Sequence, residues 1–203
     1  MILRVRLGIL LLAVLITSSA CSLLPDQTPQ RTFLLPATTQ PASSEPSLDM
    51  TLRLETPRAA RLLASPRILV RPNRQEISVY AGTRWNDDAP VLLRDRLIEA
   101  FRQDGRLATV VGEGSRVQSD LTLSSDLGAF QSEYNGDQAP QAVIRLDVQL
   151  LDESNRNVVA SRRFDVRQQS DSPQLESVVD AFGLAADELA IQLVDWTLAN
   201  TDD

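Results

Sequence analysis

The chain has 203 residues, 43% of them apolar, which suits one domain with a sizeable core and a short extension. It carries 20 Arg, no Lys and 27 Asp plus Glu, for a net charge of −7, so it lacks the positive footprint of a nucleic-acid binder and none is expected as a partner. There is no His and only one Cys, which removes the commonest general base and metal ligand, any thiolate metal site and any internal disulfide. No metal and no cofactor is expected.

Residues 1–20 read as an export signal. Arg4 and Arg6 form the positive start, "LGILLLAVLI" (7–16) the apolar stretch, and "TSSA" (17–20) the small-residue cleavage zone. A membrane-spanning helix needs about 20 apolar residues, so this segment is too short to span. Cys21 follows at once. Small residues running into a cysteine resemble a bacterial lipobox, in which the sulfur receives a diacylglycerol and cleavage frees the cysteine amine. Ser18 stands where that signal favours Leu. The alternative is an ordinary secretory signal that ends near a cysteine. Lipidation at Cys21 is favoured, because a lone exported thiol has no disulfide partner. Burial is worth about 0.8 kcal/mol per CH₂, so one acyl chain binds marginally and two or more anchor stably. Ser22 after the cysteine is similar to the sorting signal of lipoproteins sent to the outer membrane rather than kept at the inner one.

Residues 21–50 are expected to be the lipidated N-terminus and a flexible tether, rich in Pro, Ser, Thr and Gln. Within them "RTFLL" (31–35) is a short strand candidate. The globular domain is expected over 51–203. "TLRLE" (51–55), "RILVR" (67–71) and "EISVY" (76–80) read as strands. A helix follows, capped by Asp87 or Asp88, with Pro90 in its first turn and Gly105 at its end. Leu93, Leu97, Ala100 and Phe101 make its apolar face. "LATVV" (107–111) is the next strand.

Three long alternating segments come next, at 120–134, 142–151 and 158–166, separated by the turn sequences "NGDQAP" and "DESNRN". They predict an antiparallel meander. Leu121, Leu123, Leu127 and Ala129 should share one face. On the second strand Ile144, Leu146, Val148 and Leu150 should point inward, with Arg145, Asp147 and Gln149 outward. A long helix over about 173–199 closes the chain, with Leu175, Val178, Phe182, Ala186, Leu189 and Leu193 as its stripe. The fold class is therefore α/β: a single domain with a mixed sheet, an antiparallel meander and two main helices packed on it.

The stretch "ILVRPNRQEISVYAGTRWNDDAPVLLRDRLIEAF" (68–101), with the upstream cysteine and "TFLLP" (32–36), resembles the ABC-type transport auxiliary lipoprotein family, of the paraquat-inducible protein C kind. The resemblance covers most of the mature chain. It implies a three-layer α/β domain. It also implies an auxiliary subunit of a mammalian-cell-entry (MCE) type ABC system for lipid trafficking between membranes, anchored at the periplasmic face of the outer membrane and docked to an MCE-domain protein. A closed homo-oligomeric ring is the second partner expectation, because membrane conduits are often cyclic.

The candidate partner-binding residues are Trp85, Tyr80, Asn86, Asp87, Arg145 and Arg162, with Asp147 beside them on the meander. Trp85 has two readings: a lid over the helix start packed against Tyr80, or an exposed anchor rimmed by Tyr80, Asn86 and Asp87, since Trp is enriched at hot spots. Asp87 and Asp88 read as helix-start residues rather than an acid–base pair. Ser124, Ser125 and Ser161 lack a nucleophile motif, so no catalytic residue is assigned. The alternative function is a structural or assembly lipoprotein of the envelope, unconnected with a transporter.

Overall fold

The computed structural model describes residues 29–37, 43–136 and 139–201. The signal segment, Cys21 and the tether residues 21–28 and 38–42 lie outside them. The elements in chain order are β1 (Arg31–Phe33), β2 (Leu48–Leu54), β3 (Arg58–Ala59), β4 (Leu69–Asn73), β5 (Glu76–Val79), β6 (Thr83–Trp85), α1 (Ala89–Asp104), β7 (Leu107–Gly112), β8 (Leu121–Glu133), β9 (Gln141–Asp152), β10 (Asn157–Gln169) and α2 (Leu175–Leu198).

The sheet is built around β8. One edge of this 13-residue strand pairs antiparallel with β9, and β9 pairs antiparallel with β10, which is the expected meander. The other edge is shared by three short segments in succession, all parallel: β2 at Leu121 to Leu123, β3 at Asp126 and Leu127, and β4 at Gln131 to Glu133. A central strand must satisfy its backbone groups on both edges, and the chain between 52 and 71 does so piecemeal. β7 then pairs parallel with β2 and gives the order β10-β9-β8-β2-β7.

A bulge in β8 changes which side chains reach the core. Leu127 lies opposite Leu146, but Ala129 lies opposite Arg145 and Phe130 opposite Ile144, so Gly128 is the extra residue. An unpaired residue reverses the in–out alternation beyond it. Leu121, Leu123 and Leu127 face the helices as expected. Ala129 does not: it is turned to the other face, and Phe130 takes the inward position.

Both helices pack on the same side of the sheet, in one continuous apolar cluster. The domain therefore has two layers, not three. Leu93, Leu97, Ala100 and Phe101 of α1 are all buried. Gly105 ends that helix in the left-handed conformation at φ 80°, and its N–H donates to the Phe101 carbonyl, the geometry that favours glycine at this position. Asp88 occupies the N-cap position but makes no side-chain capping bond, and Asp87 Oδ1 instead accepts from the Asp88 N–H at 2.7 Å. The expected carboxylate cap is thus not formed, and Pro90 at the first turn carries the helix start.

The α2 stripe is wider than its heptad-like pattern suggests, with Val179, Ala181, Ala185, Ala190 and Val194 buried beside Val178, Phe182, Ala186, Leu189 and Leu193. The helices run parallel, because Arg96 of α1 meets Asp187 of α2 and Arg106, just past α1, meets Asp195.

The strand candidate at the start of the chain is confirmed and joins the folded unit. β1 pairs parallel with β6 in a separate two-stranded sheet. Arg31 forms an ion pair with Glu176 of α2, and Phe33 and Leu35 pack against the core. Pro36 lies against Gly183, where an added Cβ would sit 2.8 Å from the Pro36 Cβ and 2.9 Å from its carbonyl oxygen. A mid-helix glycine costs about 1 kcal/mol relative to alanine, and here it gives this strap its seat.

Leu97→Ala and Leu189→Ala are each expected to lower stability by about 2–5 kcal/mol, measured by chemical denaturation; an unchanged midpoint in both would show the helix faces to be misassigned. Gly183→Ala is expected to destabilise the protein and open residues 34–37 to proteolysis. A gain in stability of about 1 kcal/mol, the helix-propensity value, would show that the strap does not sit on α2.

Candidate functional site

Trp85 is not a surface anchor. It ends β6 beside Phe33, and its side chain is 0% exposed. Its ring meets Phe130 edge-on at 5.9 Å and Phe182 at 5.4 Å, while Phe130 and Phe182 stack at 5.0 Å. Such aromatic contacts add about 0.5–1.5 kcal/mol each beyond burial. The cluster joins β6, the inward end of β8 and α2. Its indole N–H has no hydrogen-bond partner among the described residues. The lid reading is correct in burial, but the ring neighbours are Phe130 and Phe182 rather than Tyr80. Tyr80 is half-buried, and its hydroxyl shares a hydrogen bond with Ser132 at 3.0 Å. Burial pushes the Tyr80 phenol pKa up, against the opposing effect of that bond. Asn86 and Asp87 remain exposed in the loop before α1.

With both helices on one side, the other face of the meander carries a ladder of opposite charges, and Ala129, Gln131 and Val143 on that face are buried. The register sets Asp126, Asp147 and Arg163 side by side, then Ala129, Arg145 and Asp165, then Gln131, Val143 and Arg167. Arg163 grips Asp147 with two bonds of 2.6 and 3.0 Å. Arg145 donates to Asp165 at 2.8 Å, and Arg167 reaches Asp165 at 3.0 Å and Glu133 at 3.4 Å. Arg71 of β4 closes on Glu133 at 2.9 Å, and Arg58 of β3 makes a two-bond pair with Asp126.

The ladder leaves its mark on the carboxylates. The Arg163 hydrogen bonds hold the Asp147 carboxyl below its ordinary value. Asp165 is pushed up by partial burial, but the Arg145 bond and the charges of Arg167 and Arg145 outweigh this and lower it. Exposed pairs contribute little stability, so their main effect is to present an ordered pattern of both signs.

Arg145 and Asp147 therefore stand where the alternation places them. Arg162 does not stand with them. It shares the helix side of β10 with Phe164, opposite Val148, and its guanidinium lies over the Phe164 ring at 4.8 Å. Arg163 is the residue that joins the outer face; the period of two in "RRFDVR" would have shown this, since Phe164 and Val166 are both buried. Of the serines, Ser125 is buried on the helix side, and Ser124 and Ser161 lie on the outer face. Among the described residues no group of acidic or sulfur side chains has the makings of a metal site, and no helix is long and apolar enough to cross a membrane.

This architecture has relatives. Protein XCC0632 from Xanthomonas campestris, known as a crystal structure, superposes with a TM-score of 0.78 at 36% identity, over 83% of this chain and 95% of that one. A second crystal structure, of an uncharacterized protein, shares the fold at a TM-score of 0.66 and 15% identity, over 83% of this chain and 98% of the other. An uncharacterized protein of Bradyrhizobium diazoefficiens, bll6063, is 27% identical over 152 residues; the match takes in 75% of this chain but 40% of the relative, so the chain spans less than half of that protein's length. The model of the family described as ABC-type transport auxiliary lipoprotein component matches residues 33–194, from the strap at Phe33 to the last turns of α2, and the chain belongs to that family.

Proposed function

We propose that the protein is a non-catalytic docking subunit of an MCE-type ABC system that moves lipid between membranes, held to the periplasmic face of the outer membrane through acylated Cys21. Family membership makes it an auxiliary lipoprotein of an ABC-type transport system in the cell envelope. The MCE-domain protein is its partner, and the outer face of the meander is the docking surface.

The observation that carries this reading is the open sheet face with its charge ladder. A standard interface buries roughly 800 Å² on each partner, and the face is built from three adjacent strands of 12 or 13 residues. Its charges of both signs favour selection by electrostatic complementarity over simple greasy adhesion.

Reversing Arg145 and Arg163 to Glu together is expected to abolish co-purification of the MCE-domain protein from native membranes while the chain stays folded and membrane-bound. Cys21→Ala in the same experiment is expected to yield a chain with no acyl mass that leaves the membrane fraction. Undiminished co-purification by the double variant would contradict the docking surface, and an unmodified Cys21 on the wild-type mature chain would contradict the anchor.

A further inference from the structure

Most arginines of this chain are spoken for. Among the described residues, six make no ion pair, hydrogen bond or ring contact through their side chains: Arg61, Arg67, Arg74, Arg84, Arg116 and Arg156. Three of these six, Arg61, Arg67 and Arg84, line a single cavity of about 680 Å³, together with Gln30, Ser65 and Thr83. In a chain of net charge −7, three cations around one cavity with no described carboxylate within ion-pairing distance is a local inversion of charge.

The backbone fixes where these exposed side chains begin. Arg84 lies in β6, opposite Thr32 of the strap. Arg61 lies within a tight turn in which the Leu63 and Ala64 N–H groups donate to the Ala60 carbonyl, and Arg67 follows it. The Trp85 N–H donates to the Pro66 carbonyl at 2.7 Å, which ties that turn to β6. The nearby hydroxyls are already used: Ser65 donates to the Leu62 carbonyl and Thr83 to the Tyr80 carbonyl. The guanidinium groups, with the Gln30 amide at the wall, are thus the free side-chain donors of the cavity. Guanidinium matches a phosphate in a planar, two-bond geometry that an ammonium cannot copy.

We propose that Arg61, Arg67 and Arg84 form a binding site for phosphate, whose ligand is the phosphodiester of a phospholipid headgroup. The choice of a lipid over free phosphate rests on the anchored reading above. Gln30, on the cavity wall, is nine residues from Cys21, and a fully extended chain covers at most roughly 3.3–3.6 Å per residue. The cavity therefore stays within about 30 Å of an acylated Cys21, within reach of the headgroups of the same membrane. The anion chemistry itself stands without the anchor.

The test uses the full chain in an uncharged detergent, titrated with inorganic phosphate and with glycerophosphoglycerol, the water-soluble phosphodiester headgroup of phosphatidylglycerol, by isothermal calorimetry. Saturable binding of glycerophosphoglycerol is expected, weakened roughly tenfold or more by the Arg61→Gln, Arg67→Gln, Arg84→Gln triple substitution and unchanged by Arg74→Gln. The single Arg84→Gln is measured in parallel, with near-ultraviolet circular dichroism confirming that each variant folds. Binding of phosphate alone, lost in the triple variant, would overturn the lipid as ligand and leave free phosphate in its place. No binding of either probe, or binding indifferent to the three arginines, would overturn the site. None of these results bears on co-purification with the transporter, so the two claims fail separately.

Discussion

A guanidinium and a carboxylate, Arg96 and Asp187, lie buried between two parallel helices, with Arg96 Nε donating to Asp187 Oδ1 at 2.8 Å. Taking both charges out of water costs several kcal/mol per ion, and the pair recovers this only when held at close range. Losing either partner alone would leave a buried charge, so the two helices are committed to each other at this turn. The contact fixes which turn of α1 meets which turn of α2. Arg106 and Asp195 repeat the match at the far end, at 2.8 Å. Once the helices are joined side by side, both must lie on one face of the sheet, and the rest of the molecule follows from that.

The first consequence is the strap. Residues 31–36 run beside β6, where Trp85, Phe130 and Phe182 interlock, and they cross α2 at Gly183, which admits Pro36. The second consequence is the exposed face. A sheet with one covered side must make its other side polar, and this chain does so with paired Arg and Asp rather than with isolated charges. Long exposed strands are open to non-specific pairing, and charged side chains along them are a standard defence. In the docking proposal, the same charges also give the partner something specific to match.

The elements whose signals are local were readable in the sequence. α1 was marked by Pro90 and Gly105, α2 by its apolar stripe, and the meander by alternation and turn residues. The parallel pairings of β2, β3 and β4 along β8 were not, because they depend on contacts between residues some 60 to 70 positions apart that leave no local period. The bulge at Gly128 was invisible for a related reason: alternation continues smoothly through "DLGAF", and only the register against β9 shows the slip. Asp88 looked like a cap from its residue type and position, but its side chain does not make the bond. Arg162 and Arg163 were separable by period alone, since Phe164 and Val166 fix the inward phase. The trio of Arg61, Arg67 and Arg84 could not be gathered from the sequence, because a turn and a strand from different segments bring it together.

Docking of the transporter on the open sheet face, and not on the helices, is the central proposal. A photo-cross-linking amino acid placed at Gln149, exposed on the outer side of β9, and separately at Leu184, which is 51% exposed on α2, tests it in intact cells. Adducts with the MCE-domain protein are expected from position 149 and none from position 184. Adducts from position 184 alone, or from neither position, would contradict it.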